Sequence, residues 1–251
     1  MMENKSQNQL GWITKVGYGA GHVLNDMCGA MWFTYSLIFF HRVLEFNASE
    51  TGALFTIGQV AGGMSTAFVG FISDSQYNIW LCNRYGRRKS WHLIGTLFVL
   101  LSYAFIFSPC IQCRNISIET QVVFYGAFIV LFQFGWSAVQ ISHLAIIPML
   151  TPIANDRTAL VAIRHIGTAV STLVVYCISW LFFGNLKGQK IDPSNAPIFQ
   201  DTAVIILALG SIATAIFHFI IHPNSIKSDK IDTIEANEKN AFLQGNRNLG
   251  P

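Results

Sequence analysis

Along the 251 residues, long apolar stretches alternate with short polar segments. A helix that crosses a bilayer needs about 20 mostly apolar residues. Six stretches meet that length, roughly 16–40, 51–73, 91–109, 120–147, 159–183 and 202–222. The pattern predicts an all-α, polytopic membrane protein. Residues 1–15 form a polar N-terminal segment, 16–222 a six-helix half-bundle, and 223–251 a polar tail whose "SDKIDTIEANEKN" reads as solvated. The first stretch is too long for a cleaved signal and carries no small-residue cleavage site, so it is expected to stay as a helix.

Within the spans, polar residues recur at helical spacing. Ionisable groups at membrane depth are expensive and face a bundle interior or an aqueous cavity. Only Asp26 and Arg164 are formal charges clearly inside the stretches. Asp26 lies about ten residues into the first, roughly 15 Å at 1.5 Å per residue, and shares its face with His22, Asn25 and Gly29. The second span carries Gln59, Gly62, Gly63, Thr66 and Gly70, the fourth Gln133, Ser137, Gln140 and His143, and the fifth Arg164, Thr168 and Ser171. These four spans are expected to line a cavity, and the third and sixth to face lipid. For Thr66, Ser137, Thr168 and the glycines, helix–helix contact is the favoured reading. Asp26 is read as functional, because a mid-depth acid has no structural duty that Asn could not perform. Arg164 is either functional or snorkels to the interface. His22 and His143 are candidates for a proton relay, with hydrogen-bonded helix packing the favoured reading for each.

Composition agrees with the pattern: 52% of residues are hydrophobic and 12% charged, against about 25% charged in soluble domains. The stretch "CNRYGRRKSW", Cys82 to Trp91, packs four basic residues into positions 84–89. Such a knot suggests a nucleic-acid patch when read alone. A net charge of +3 without a basic face argues against nucleic acid. The knot instead helps set orientation, since basic residues concentrate in cytosolic loops. With the N-terminus cytosolic, eleven Lys or Arg fall on the cytosolic side and four, Arg42, Arg114, Lys187 and Lys190, on the other. Sequons at Asn47 and Asn115 fall on that other side too, as glycosylation requires, whereas the sequon at Asn4 would be cytosolic and silent.

No phosphate-binding glycine loop, HExxH or Gly-x-Ser-x-Gly motif is present, so no catalytic residue, cofactor or enzymatic activity is expected. Cys110-Ile-Gln-Cys113 lies in a non-cytosolic loop where oxidation is possible. Without a second CxxC or a histidine pair it does not make a metal site.

Gly70-xxx-Asp74, a spacer, then Arg84-Tyr-Gly86-Arg87-Arg88-Lys89 resembles the signature loop of the major facilitator superfamily. The "GRRKSW" ending is similar to that of the glycoside–pentoside–hexuronide cation symporter branch, with Ser90 in place of a proline. "GYGAGHVLNDMCGAMWFTYSLIFF" at 17–40 resembles the branch's first helix, and "AIIPMLT" with Asp156-Arg157 the end of its fourth helix and loop. The resemblance covers about residues 11–222. It implies one half of a transporter, built as three plus three helices, with Asp26 and Arg164 in the substrate site. Gly70, Asp74, Arg84, Gly86, Arg87, Arg88, Asp156 and Arg157 then form a gating latch toward the other half. The whole sequence is most similar to an animal member of the branch, which implies a lysosomal and melanosomal protein needed for cysteine import.

Two departures matter. Cation-coupled sugar symporters of the branch carry two acids in helix two, where this chain has Gly62 and Thr66, and an acid in helix four, where it has Gln140. One aspartate is a thin basis for a sodium site, so protons as coupling ion, or facilitated exchange, fit better. The superfamily also has two six-helix halves with the substrate between them. This chain supplies one, so a C-terminal half or another subunit is expected to complete the pathway. Three functions follow: a small-solute transporter half, a lysolipid transporter half, and a non-transporting form that modulates full-length subunits.

Overall fold

A computed structural model describes residues 10–74, 82, 85–110, 116–184 and 190–221. The expectations for Arg84 and Asn115, and for the segments 1–9 and 222–251, lie outside these residues. Six helical segments are long and apolar enough to cross a membrane. They form an all-helical bundle, and its elements are numbered here in chain order.

The first span is not one helix. It folds as α1 (Trp12–Ala20) and α2 (Val23–Ile38) and ends in a π turn, Phe39–Val43. At the joint, the Gly21 and His22 N–H groups turn back three residues, onto the Tyr18 and Gly19 carbonyls. Glycines make the joint possible by admitting neighbours. A Cβ on Gly17 would stand 2.5 Å from Ile220, and one on Gly21 2.5 Å from Phe217.

The remaining helices are α3 (Ala48–Asp74), α4 (Arg87–Ile106), α5 (Ile118–Leu150), α6 (Ala154–Phe183) and α7 (Ala196–Ile220), the last preceded by a 3₁₀ turn at Pro193–Asn195. They start earlier than their apolar stretches, and two of them, α3 and α5, are capped by a side chain. Asn47 Oδ1 accepts from Glu50 N at 2.9 Å while Asn47 N donates to Glu50 Oε2 at 2.8 Å, a capping box for α3. Ser117 caps α5, and Asp192 with Asn195 closes the turn before α7. Gly86 precedes α4 at φ 88°, ψ 132°, a conformation that side chains with a Cβ rarely adopt.

Two apolar clusters hold the bundle. The larger is aromatic and gathers Trp32, Phe39, Phe40, Phe46, Tyr103, Tyr125, Phe132 and Phe199. The smaller joins Tyr18, Ile146, Ile147, Leu150, Leu160, Phe217 and Ile221 at the opposite end of α1–α2. The closest helix pair is α4 against α5, where a Cβ on Gly135 would meet the Gly95 carbonyl at 2.7 Å.

The third and sixth spans each bury one face in the bundle and expose apolar side chains on the other, Leu97, Leu101 and Phe105 on α4 and Val204, Ile212 and Phe219 on α7. α4 buries Lys89, Ser90, His92, Thr96, Ser102 and Tyr103, while α7 buries Thr202 and Thr214 with its apolar face. The hydroxyls escaped notice because they satisfy themselves: Ser90, Thr96 and Ser102 each donate to the carbonyl four residues back. α3 and α6 are the more open helices, exposing Val60, Met64, Phe68, Leu173 and Trp180.

Candidate functional site

The helix break places His22 at the start of α2, one turn before Asp26. The two side chains meet, His22 Nδ1 standing 2.9 Å from Asp26 Oδ1. On its other edge, His22 Nε2 lies 2.9 Å from Arg164 Nη2 of α6. A guanidinium has no acceptor, so Nε2 accepts, and the ring proton sits on Nδ1, facing the carboxylate. Thr168, one turn beyond Arg164, donates to Asp26 Oδ2 at 3.1 Å and lies 3.2 Å from the Arg164 carbonyl.

Arg164, ten residues into α6, which begins at Ala154, turns toward α2 and its contact with His22. Asp26 and Arg164 are joined through a buried neutral imidazole rather than by direct contact. Arg164 is half-buried, and the Asp26 side chain is 8% exposed. Such a pair offers a carboxylate for an ammonium group and a guanidinium for a carboxylate.

The other predicted substrate residues fall in different places. Asn25 is buried against α5: its Nδ2 donates to the Trp136 carbonyl at 3.3 Å, and Trp136 Nε1 donates back to the Asn25 carbonyl at 3.2 Å. His143 stacks on Tyr18 at 4.1 Å and donates from Nε2 to the Tyr18 carbonyl at 2.8 Å. Its ring centre is 5.3 Å from that of His22. Gln140 is half-buried and makes no hydrogen bond among the described residues. Thr66 and Ser137 bond each other at 3.1 Å over the Gly62 carbonyl, linking α3 to α5.

The residues of the signature loop are tied within this half. Arg88 Nη1 donates to Ser73 Oγ at 2.9 Å, joining the end of α3, beyond Gly70 and next to Asp74, to the start of α4. Arg87 is half-buried beside it. Asp156 binds Lys15 at 2.7 Å and accepts from Leu10 N at 2.8 Å, clamping the start of α1 onto α6. Arg157 Nε donates to the Thr151 carbonyl at 2.9 Å. Asn47 is exposed at the opposite end of α3, and Cys110 is disulfide-bonded.

Sequence reasoning missed a second polar group. Lys89 is buried and donates to the His218 and Ile221 carbonyls at the end of α7. Tyr85 Oη lies 2.9 Å from His218 Nδ1, and His218 Nε2 3.2 Å from His92 Nδ1. His92 Nε2 donates to the Gly21 carbonyl at 2.9 Å. The available signal was positional: His92 and His218 both stand within two turns of the helix ends that meet the basic knot. Among the described residues, no three His, Cys, Asp or Glu converge as a metal site requires.

A family model described as "MFS/sugar transport protein" matches residues 17–250. The chain is 37% identical over 226 residues to the human "Major facilitator superfamily domain-containing protein 12", an alignment spanning 85% of this chain and 47% of that protein. Identity to the mouse protein of the same description is 39% over 220 residues, spanning 83% and 45%. A more distant relative, the mouse "Sphingosine-1-phosphate transporter MFSD2B", is 23% identical over 207 residues, spanning 80% and 40%. The chain thus spans about half the length of the curated relatives it matches.

Proposed function

Because the chain belongs to the MFS/sugar transport protein family, a family of multi-pass membrane transporters and not enzymes, we propose that it is the N-terminal half of an alternating-access transporter for a small zwitterionic solute. Cysteine is the solute, and the lysosomal or melanosomal membrane the site. The N-terminus is cytosolic, and the pathway is completed by a C-terminal half or another subunit. The observation that carries this reading is the Asp26–His22–Arg164 group, which holds opposite charges at mid-depth on adjoining helices. Opposite charges bridged by an imidazole suit a substrate bearing both an ammonium and a carboxylate. Cysteine and the compartment rest on the resemblance to the animal branch member.

The test is uptake of labelled cysteine into vesicles bearing the complete transporter. Asp26→Ala and Arg164→Ala are each expected to lower kcat/KM by about tenfold or more, as loss of a charge-assisted contact does. Unchanged uptake in both variants would sink the assignment.

A second reading draws on the relative described as a sphingosine-1-phosphate transporter. If the solute is a lysolipid, competition by lysolipids and indifference to free cysteine are the expected results.

A further inference from the structure

Four histidines from four helices lie in one row between the two apolar clusters: His22 of α2, His143 of α5, His92 of α4 and His218 of α7. Ring centres are 5.3 Å apart from His22 to His143, 5.9 Å from His143 to His92 and 5.0 Å from His92 to His218. The row begins at Asp26 and ends at half-buried Tyr85; the rings of His22, His143 and His92 are buried, and His218 is half-buried. Packing alone does not call for imidazoles here, since Asn or Ser can satisfy a carbonyl. An imidazole does what they cannot: it accepts a proton on one nitrogen and releases one from the other.

The partners fix the protons. The Gly21 carbonyl can only accept, so His92 carries its proton on Nε2 and presents a bare Nδ1. His218 must then donate from Nε2 to that Nδ1, which leaves its own Nδ1 to accept from the Tyr85 hydroxyl. Tyr85, His218 and His92 thus point their donors the same way, inward. His143 donates from Nε2 to the Tyr18 carbonyl. Its Nδ1 is fully buried and has no hydrogen-bond partner among the described residues, so an acceptor stands open midway along the row.

We infer that this row is a proton relay connecting Asp26, in the proposed solute site, to Tyr85 at the end of the bundle that bears the α3–α4 loop. The inference rests on the transport reading above and supplies its coupling route. Each hop breaks one N–H or O–H bond as another forms. One proton enters from water at Tyr85, one arrives at the Asp26 carboxylate, and no electron moves. Each ring regains its starting tautomer by rotation or by the return hop.

In this conformation the relay is interrupted at the helix break. His92 and His143 spend their Nε2 protons on the Gly21 and Tyr18 carbonyls, which flank the joint between α1 and α2. Passage from His92 to His143, and on to His22, requires these rings to leave those carbonyls and His22 Nε2 to part from Arg164 Nη2, freeing it to accept. Movement at the joint would therefore gate the proton. Arg164 and His165 of α6 stand by His22, Tyr18 of α1 covers His143, and Lys89 lies 4.3 Å over the Tyr85 ring beside His218. Asp26 is the acceptor at the far end of the row.

The experiment uses the complete transporter in liposomes loaded with a pH-sensitive dye. Two quantities are read: labelled cysteine exchange at equal pH, and cysteine accumulation with proton movement under an imposed pH gradient. His92→Phe and His218→Phe keep an aromatic ring in place. They are expected to lower gradient-driven accumulation and proton movement by about tenfold or more, the scale of a lost proton-transfer group, with exchange kept within about twofold. Tyr85→Phe, which removes only the hydroxyl, is expected to lower them less. Unchanged gradient-driven accumulation overturns the relay. So does parallel loss of exchange in the histidine variants, which marks them as structural. Wild-type exchange that ignores the pH gradient overturns the relay alone. Absence of wild-type exchange overturns the transport reading and the relay together.

Discussion

Lys89 belongs by sequence to the basic knot and by structure to the interior. Only 1% of its surface is exposed, and its ammonium caps the C-terminal end of α7 through the His218 and Ile221 carbonyls. Cations are favoured at helix C-termini, where carbonyls lack intrahelical partners. Lys89→Met keeps the apolar stem and deletes both bonds. It is expected to cost about 2 kcal/mol, or about 5 °C in the thermal midpoint of a chain this size, read in detergent by loss of the monodisperse peak on heating. Arg87→Met, at a half-buried position, should move the midpoint far less. Equal effects of the two would show that Lys89 contributes only charge to the knot. At this scale, sequence reading finds a residue when it breaks a rule. Asp26 and Arg164 stood out as charges inside apolar stretches. Lys89 did not, because its neighbours Arg87 and Arg88 supplied a ready surface explanation.

At the scale of elements, six apolar stretches became six spans because length and hydropathy determine whether a helix can cross a bilayer. The helix break at Gly21–His22 had no such signal. It depends on which neighbours approach the glycines, and sequence periodicity does not report that. The buried polar face of α4 is hidden for a related reason, since backbone-bonded hydroxyls and close glycine contacts leave little trace in a hydropathy pattern. The glycines themselves divide sharply. A Cβ on Gly135 meets backbone on α4, the Gly95 carbonyl at 2.7 Å and Val99 N at 2.9 Å, so the helices must separate to admit it. On Gly63 it meets nothing within 4 Å. Gly135→Ala is expected to destabilise by about 1–3 kcal/mol, the range for overpacking. Gly63→Ala should be neutral or slightly stabilising, by up to about 1 kcal/mol through helix propensity. Thermal midpoints of the two variants check this, and a Gly135→Ala protein as stable as Gly63→Ala would mean that the α4–α5 contact yields without strain.

For the molecule as a whole, the structure gathers the basic ends at one pole. Lys15 meets Asp156, Arg88 meets Ser73 and Lys89 meets the end of α7, while Asn47 is exposed at the opposite end of α3. One pole is basic and the other carries the Asn47 sequon, so a single insertion would satisfy both the charge bias and glycosylation there. The sequence contains its own control, because Asn4 precedes the first span, whose start is tied to Asp156 through Leu10 and Lys15 at the basic pole. If that side is cytosolic, a glycosidase-sensitive mass shift should persist in Asn4→Gln and vanish when Asn47 and Asn115 are both replaced by Gln. Reversing the bias with Arg87→Glu and Arg88→Glu should then bring a fraction of molecules to modify Asn4 instead. Attractive interaction of each of these cations with an anionic leaflet is worth about 1 kcal/mol, enough to shift the ratio of orientations by several-fold. A wild-type glycan on Asn4 would invert the orientation. Tyr85 would then face the lumen, and the proposed relay would carry protons between Asp26 and the lumenal rather than the cytosolic side.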